Sequence, residues 1–235
     1  MIITKAHYSI FFGDAQSCWA HHLSSDFPRL CTELADQHDL KKFVLLNQTH
    51  GTAGMVINAG TSLPERVVLK PQDGDFLITD QVGVGLAILT ADCMPVVVCD
   101  SARRVVGIAH AGWKGTVAGI VGRLVECMRH DFGCLPAELH VYLGPSARTC
   151  CYEVQPDFLS YLQKFSNPSQ FLLERDGRLF FDKAACNISQ LLAVDILQQN
   201  IYSTHLICTI CDDRFYSFRR QKSEAGRNIS LVWLS

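Results

Sequence analysis

Residues 75–110 read DFLITDQVGVGLAILTADCMPVVVCDSARRVVGIAH, and this stretch decides the fold. Four apolar runs, DFLITD (75–80), VGLAIL (84–89), PVVVCD (95–100) and RVVGIAH (104–110), follow one another with short polar breaks. Each has strand length and is rich in β-branched and large apolar residues. Near-continuous apolar runs of this kind belong to strands buried on both faces, since a half-exposed strand alternates polar with apolar. The same reading extends outward to FVLLN (43–47), MVIN (55–58) and RVVL (66–69) on one side. On the other it takes in LHVYLG (139–144), HLICTI (205–210) and ISLVWL (229–234).

Between these runs the period changes. Val117, Ile120, Val121, Leu124, Val125 and Met128 recur at helical spacing to about Arg129, before the breakers Gly133 and Pro136. A second helix begins at Asp182, an N-cap, with Ala185, Ile188, Leu192 and Ile196 on one face. A short helix is expected around Phe27–Gln37, within the least patterned segment 1–40, which also holds the His21-His22 pair. Strands and helices mix without a regular βαβα order. That predicts an α+β or layered α/β/α fold with a mixed sheet, as a single domain over 1–235.

Composition narrows the function classes. The 235 residues carry a net charge of −2, with 48% hydrophobic and 19% charged residues. Nothing here offers the basic footprint that nucleic acid or an anionic membrane requires. No apolar run approaches the roughly 18 residues of a membrane-spanning helix. No export signal is visible, so the eleven cysteines are expected as reduced thiols in a cytoplasm.

Three segments put polar residues where apolar strands end: NQTHG with His50, TADCMP with Asp92 and Cys93, and IAHAGWKGT with His110. Two imidazoles and one thiolate suit zinc, with the fourth tetrahedral position open to water or substrate. The same residues fit a Cys–His hydrolase dyad equally well, Cys93 as nucleophile and His110 as base. GIAHAGWKGT is not a phosphate loop, because Trp113 separates Gly112 from Lys114. Its strand–turn–helix form still points free N–H groups at a bound anion, and Lys114 adds charge. FYSFRR (215–220) and EAGRN (224–228) bring arginines suited to phosphate or carboxylate near aromatic residues. His205, Cys208 and Cys211 spell HxxCxxC, half of a structural zinc site, but no second pair follows. The vicinal pair Cys150-Cys151 cannot readily close an ordinary disulfide and reads as core or loop.

Taken together, these segments resemble one family: the laccase-domain family, variously called multicopper polyphenol oxidase, purine nucleoside phosphorylase or peptidoglycan-editing factor. The resemblance rests on QTHG (48–51), GDFLIT (74–79), TADCMP (90–95), HAGWKG (110–115), LGP (143–145), CCYEV (150–154), FYSFR (215–219) and Gly226-Arg227. It implies a three-layer α/β/α fold around a mixed sheet, with His50, Cys93 and His110 as metal ligands, usually for zinc. It also implies phosphorolysis of adenosine, inosine, guanosine and methylthioadenosine, and deamination of adenosine. An ordinary segment is implied at 205–211, against the structural-zinc reading.

On this basis Asp92, Cys93 and Glu153 are the expected catalytic residues, with Asp92 either a proton shuttle or a turn-capping group. Gln48, Lys114, Arg219 and Arg227 are the expected substrate- and phosphate-binding set. The expected partners are a nucleoside and phosphate, and the reading leaves room for a homo-oligomer. One departure stands out. Where the family opens with Thr-Arg-x-Gly-Gly-Val-Ser, this chain has FFGDAQS (11–17), without the arginine. Editing of a muropeptide amide by Cys93 or the metal is the hydrolase alternative. Copper oxidation is the other. Nine histidines with no H-x-H pair fit a multicopper centre poorly, though copper at the Cys–His site could give weak phenol oxidation.

Overall fold

The computed structural model describes residues 1–16, 26–63 and 65–235, so Ser17 and the His21-His22 pair lie outside the described residues. The strands are β1 (Ile2–Thr4), β2 (Tyr8–Phe12), β3 (Lys42–Asn47), β4 (Gly54–Ile57), β5 (Val67–Asp73), β6 (Phe76–Thr79), β7 (Val84–Thr90) and β8 (Met94–Asp100). They continue as β9 (Val105–Ala111), β10 (His140–Leu143), β11 (Glu153–Val154), β12 (Leu172–Arg175), β13 (Arg178–Phe181), β14 (Ile201–Tyr202) and β15 (Asn228–Leu234). The helices are α1 (Phe27–Gln37), α2 (Trp113–Ala118), α3 (Ile120–Phe132), α4 (Lys183–Ala193) and α5 (Phe218–Gln221).

Two six-stranded mixed sheets result, ordered β1-β2-β15-β7-β3-β5 and β14-β10-β8-β9-β6-β4, beside a small sheet β11-β13-β12. Alternation along the strands sorts their side chains into separate cores. Ile10, Phe12, Val44, Leu46, Leu86 and Ile88 of the first sheet meet Leu77, Val97 and Ile108 of the second. On the outer face of the second sheet, Phe76, Ile78, Val96 and Ala109 pack against Val121, Leu124 and Met128 of α3. On the outer face of the first, Phe43, Leu45, Ala87 and Leu231 meet Cys31 and Leu34 of α1. Helices therefore flank a mixed β-layer on both sides, as an α/β/α arrangement requires, and that layer is two sheets thick. Every residue of β7, β8 and β9 is buried, as their unbroken apolar runs demand. Fully burying one Leu or Phe contributes roughly 1.5–3 kcal/mol, so these cores carry the stability.

Three expectations change in detail. The helix capped by Asp182 ends at Ala193, so Ile196 lies beyond it, and its buried face carries Ala184, Cys186, Asn187 and Leu191 while Leu192 is exposed. The helix read through Val117 to Arg129 is interrupted at Gly119, whose φ of 100° ends α2 before α3 begins. HLICTI is not a strand: β14 takes the sheet edge beside β10, and residues 205–210 form a loop with one isolated bridge, Ser146 to Cys208. Its apolar, β-branched residues serve loop packing instead. The Asp182 cap holds as read, its carboxylate accepting from the Ala185 N–H at 2.9 Å. Among the described residues no helix is long and apolar enough to cross a membrane.

Candidate metal centre

The site forms at one end of the double sheet, and a single carboxylate organises it. Asp75, just before β6, is 1% exposed. Its Oδ1 accepts from the His50 N–H at 2.9 Å and faces His110 Nδ1 at 2.8 Å. Its Oδ2 accepts from the N–H groups of Thr49 and Gly51 and from the Thr49 hydroxyl, at 2.7 to 3.1 Å. The loop after β3 is thereby wound around one anion, with His50 held at a φ of 64°. The His110 ring is fixed with Nε2 directed away from Asp75, the arrangement of a carboxylate-supported histidine ligand.

Cys93 joins these imidazoles from the turn between β7 and β8. That turn passes through Asp92 at a φ of 79°, a strained conformation for a non-glycine residue. Three groups hold it. Asp92 Oδ1 accepts from the Thr209 hydroxyl at 2.7 Å and Oδ2 from the Arg219 N–H at 2.6 Å. The Asp92 carbonyl accepts from Lys183 Nζ at 2.5 Å. Both carboxylate oxygens are thus engaged in shaping the turn.

The donor atoms of His50, Cys93 and His110 lie within 4.8 Å of one another. Gly112 completes the cradle, because a Cβ there would sit 2.8 Å from His50 Cδ2 and 3.1 Å from Cys93 Sγ. Two imidazoles and a thiol brought this close together are a donor set that fits a borderline-soft metal ion. Burial pushes the Cys93 thiol up, but its contacts with His110 and His50 override this and bring it to about 5. Burial likewise lowers His110, while Cys93 and Asp75 raise it to about 9. For Asp75, burial works upward, and His110 with the loop N–H groups brings it down to about 2. A thiolate and an imidazolium therefore face each other near neutral pH.

The three donors open onto a cavity of about 580 Å³, lined also by Trp113, Lys114, Tyr152, Lys183, Phe218, Arg219 and Arg227. That is within the range of small-molecule sites, about 300–1,000 Å³. Lys114, Arg219 and Arg227, expected to bind substrate and phosphate, are among the residues that line the cavity. Arg219 lies over the Tyr152 ring at 4.8 Å, and Arg227 caps the carbonyls of Ala225 and Gly226. Gln48 lines the cavity, yet its amide is committed to the Leu89 main chain, donating at 2.7 Å and accepting at 2.8 Å. Glu153 is not among the lining residues. It sits in β11 with its carboxylate 3.5 Å from Arg178.

Sequence reasoning passed over Asp75, Lys183, Tyr152 and Phe218. Asp75, Tyr152 and Phe218 stand inside the quoted motifs but carry no role in that reading. Lys183 follows a helix cap, where a lysine ordinarily reads as solvated, yet it is 2% exposed. The cysteines bring a second surprise. Cys150 and Cys151 come together with Cys208 and Cys211, all four sulfurs within 4.8 Å of one another. The two cysteines of the HxxCxxC segment thus sit beside an upstream pair, and His205 is not in the group.

Residues 20–235 match the family described as multi-copper polyphenol oxidoreductase laccase. The chain belongs to this family. Among its relatives is a protein of Xylella fastidiosa named purine nucleoside phosphorylase, 35% identical over 192 residues, covering 80% of this chain and 71% of that one. A protein of Borreliella burgdorferi with the same name is 34% identical over 165 residues, covering 69% of each. The crystal structure of Bacillus licheniformis hypothetical protein YfiH superposes with a TM-score of 0.83 at 25% identity, over 97% of this chain and 93% of that one. The resemblance read from the motifs and the mixed α/β fold it implied are thus borne out.

Proposed function

We propose that this chain is a zinc-dependent purine nucleoside phosphorylase, with His50, Cys93 and His110 as the zinc ligands. The observation that carries the reading is a three-donor set opening onto a cavity lined by both cations and aromatic rings, Lys114, Arg219 and Arg227 beside Trp113, Tyr152 and Phe218. Relatives named for this activity support it. Adenosine, inosine, guanosine and methylthioadenosine are the substrates, and adenosine deamination is a secondary activity of the same site.

When bound, zinc supplies Lewis acidity and a water that ionises near neutral pH. The chain's own residues do the rest. Lys114, Arg219 and Arg227 hold the phosphate dianion, standing in for the arginine missing from the N-terminal segment. Phe218, 52% exposed at the cavity, and Trp113 offer faces for the purine. Asp75 orients His110, and Asp92 positions Cys93 and the Arg219 main chain. A phosphate oxygen attacks C1′ while the N-glycosidic bond breaks. Its electron pair leaves with the purine, which takes up a proton, giving the free base and pentose-1-phosphate. Deamination instead adds water at C6 of adenosine and releases ammonia, giving inosine.

Product analysis of adenosine with and without inorganic phosphate tests this reading. Adenine formed only with phosphate supports phosphorolysis, and inosine formed in either buffer supports deamination. Unchanged adenosine in both overturns the proposal. The thiolate–imidazolium pair also favours a second reading, a Cys93–His110 amide hydrolase, which would then be tested on muropeptides.

A further inference from the structure

Among the described residues outside the cavity, the group of metal-ligating side chains that comes together is the four cysteines 150, 151, 208 and 211. None of them lines the cavity. Cys211 Sγ is 3.0 Å from Cys151 Sγ and 3.4 Å from Cys150 Sγ, and all four sulfurs fall within 4.8 Å. Four sulfurs bound tetrahedrally at about 2.3 Å from zinc stand about 3.8 Å apart, the middle of that spread. One disulfide does not account for the arrangement, because Cys211 approaches two partners and the vicinal pair is too constrained to close easily.

The backbone already sets the two cysteine pairs beside each other. The two arms are joined by Ser146 N–H to the Ile207 carbonyl at 3.0 Å and Thr209 N–H to the Ser146 carbonyl at 3.2 Å. Three guanidinium groups bond the same arms. Arg148 donates to the Leu206 carbonyl, Arg175 to the Cys150 carbonyl, and Arg220 to the carbonyls of Thr209 and Ile210. Four thiolates around one divalent ion leave a net charge of −2, and three cations are bonded to the arms that carry them.

We propose that Cys150, Cys151, Cys208 and Cys211 hold a second zinc ion in a closed tetrathiolate site that clasps segment 146–154 to segment 205–212. As four Zn–S bonds form, the sulfur-bound protons leave to solvent and no redox change occurs. The clasp serves the cavity wall: one arm carries Tyr152, whose ring lines the cavity, and the other carries Thr209, which bonds Asp92 beside Cys93. Closed coordination gives this ion a structural role, in contrast to an open three-donor centre.

The test uses the full chain, purified under reducing conditions and saturated with Zn²⁺. Native mass spectrometry is expected to show two zinc ions per chain, one in Cys93→Ala and one in the double variant Cys208→Ser/Cys211→Ser. Should the double variant fail to fold, alkylation of the unaltered chain decides. Cys150 and Cys211 are exposed, so as free thiols they would react readily. As zinc ligands they react roughly tenfold more slowly or less, until a chelator strips the metal. No zinc held by Cys93→Ala, free alkylation of Cys150 and Cys211 at zinc saturation, iron in the site, or a disulfide among the four would each overturn the proposal.

Discussion

The His50–Cys93–His110 centre and the four-cysteine group each bring their donor atoms within 4.8 Å of one another, yet they rest on different supports. The first is built at the ends of strands in the double sheet, with a buried carboxylate steering one imidazole and winding the loop of the other. The second stands on two loops, joined by main-chain bonds and arginines. The first presents three donors to a cavity, and the second gathers four donors away from it. Three donors on a rigid sheet end leave room for chemistry, and four on adaptable loops leave room only for holding.

The largest effect expected is from Cys93→Ser. Metal analysis should show one equivalent lost, and phosphorolysis should fall roughly 100- to 1,000-fold, as when a key electrostatic group leaves an active site. Nearly unchanged activity would break the comparison. Cys208→Ser/Cys211→Ser should act on stability first. A loss of about 3 kcal/mol, within the upper range for single features, lowers Tm by roughly 6–12 °C in a chain of this size. If thermal unfolding is unmoved, the loops hold without a clasp.

Asp75→Asn should weaken metal binding at the three-donor centre by roughly 10- to 100-fold, with no effect on the four-cysteine group. Isothermal titration of the stripped chain would show it. The same titration should depend on pH. With Cys93 at about 5 and His110 at about 9, metal uptake between those values expels the His110 proton. Apparent affinity should therefore rise about tenfold per pH unit from 5 toward 9, flatten above 9 and fall more steeply below 5. A flat profile across that window would show that the two groups do not pair. Smallest is Phe218→Ala, where losing about 1 kcal/mol of base stacking raises KM roughly fivefold with kcat little changed.

The strands from Phe43 to His110 were legible because their apolar runs admit few other readings. The doubled sheet was not, because a strand buried on both faces looks the same whether helix or sheet covers it. His50, Cys93 and His110 stood out as polar residues closing apolar strands inside specific motifs, and the fold does bring them together. Asp75 stayed hidden because an acidic residue opening a strand usually caps a turn. Its main-chain partners at 49–51 are about two dozen positions away. The four-cysteine group was lost twice over: its pairs lie about 60 residues apart, and the apolar run 205–210 imitated a strand. It is the fold that sets those arms side by side, through the bridge from Ser146 to Cys208 and the Arg148 bond to Leu206.

The central claim is that nucleoside cleavage belongs to the open centre alone. It is tested most directly by removing metal stepwise with chelators of increasing strength while following zinc content, phosphate-dependent cleavage of inosine and Tm together. The open, three-donor ion should leave first, taking the cleavage with it and sparing most of the Tm, and restored zinc should restore the rate. Full cleavage of inosine after that ion has gone would contradict the account.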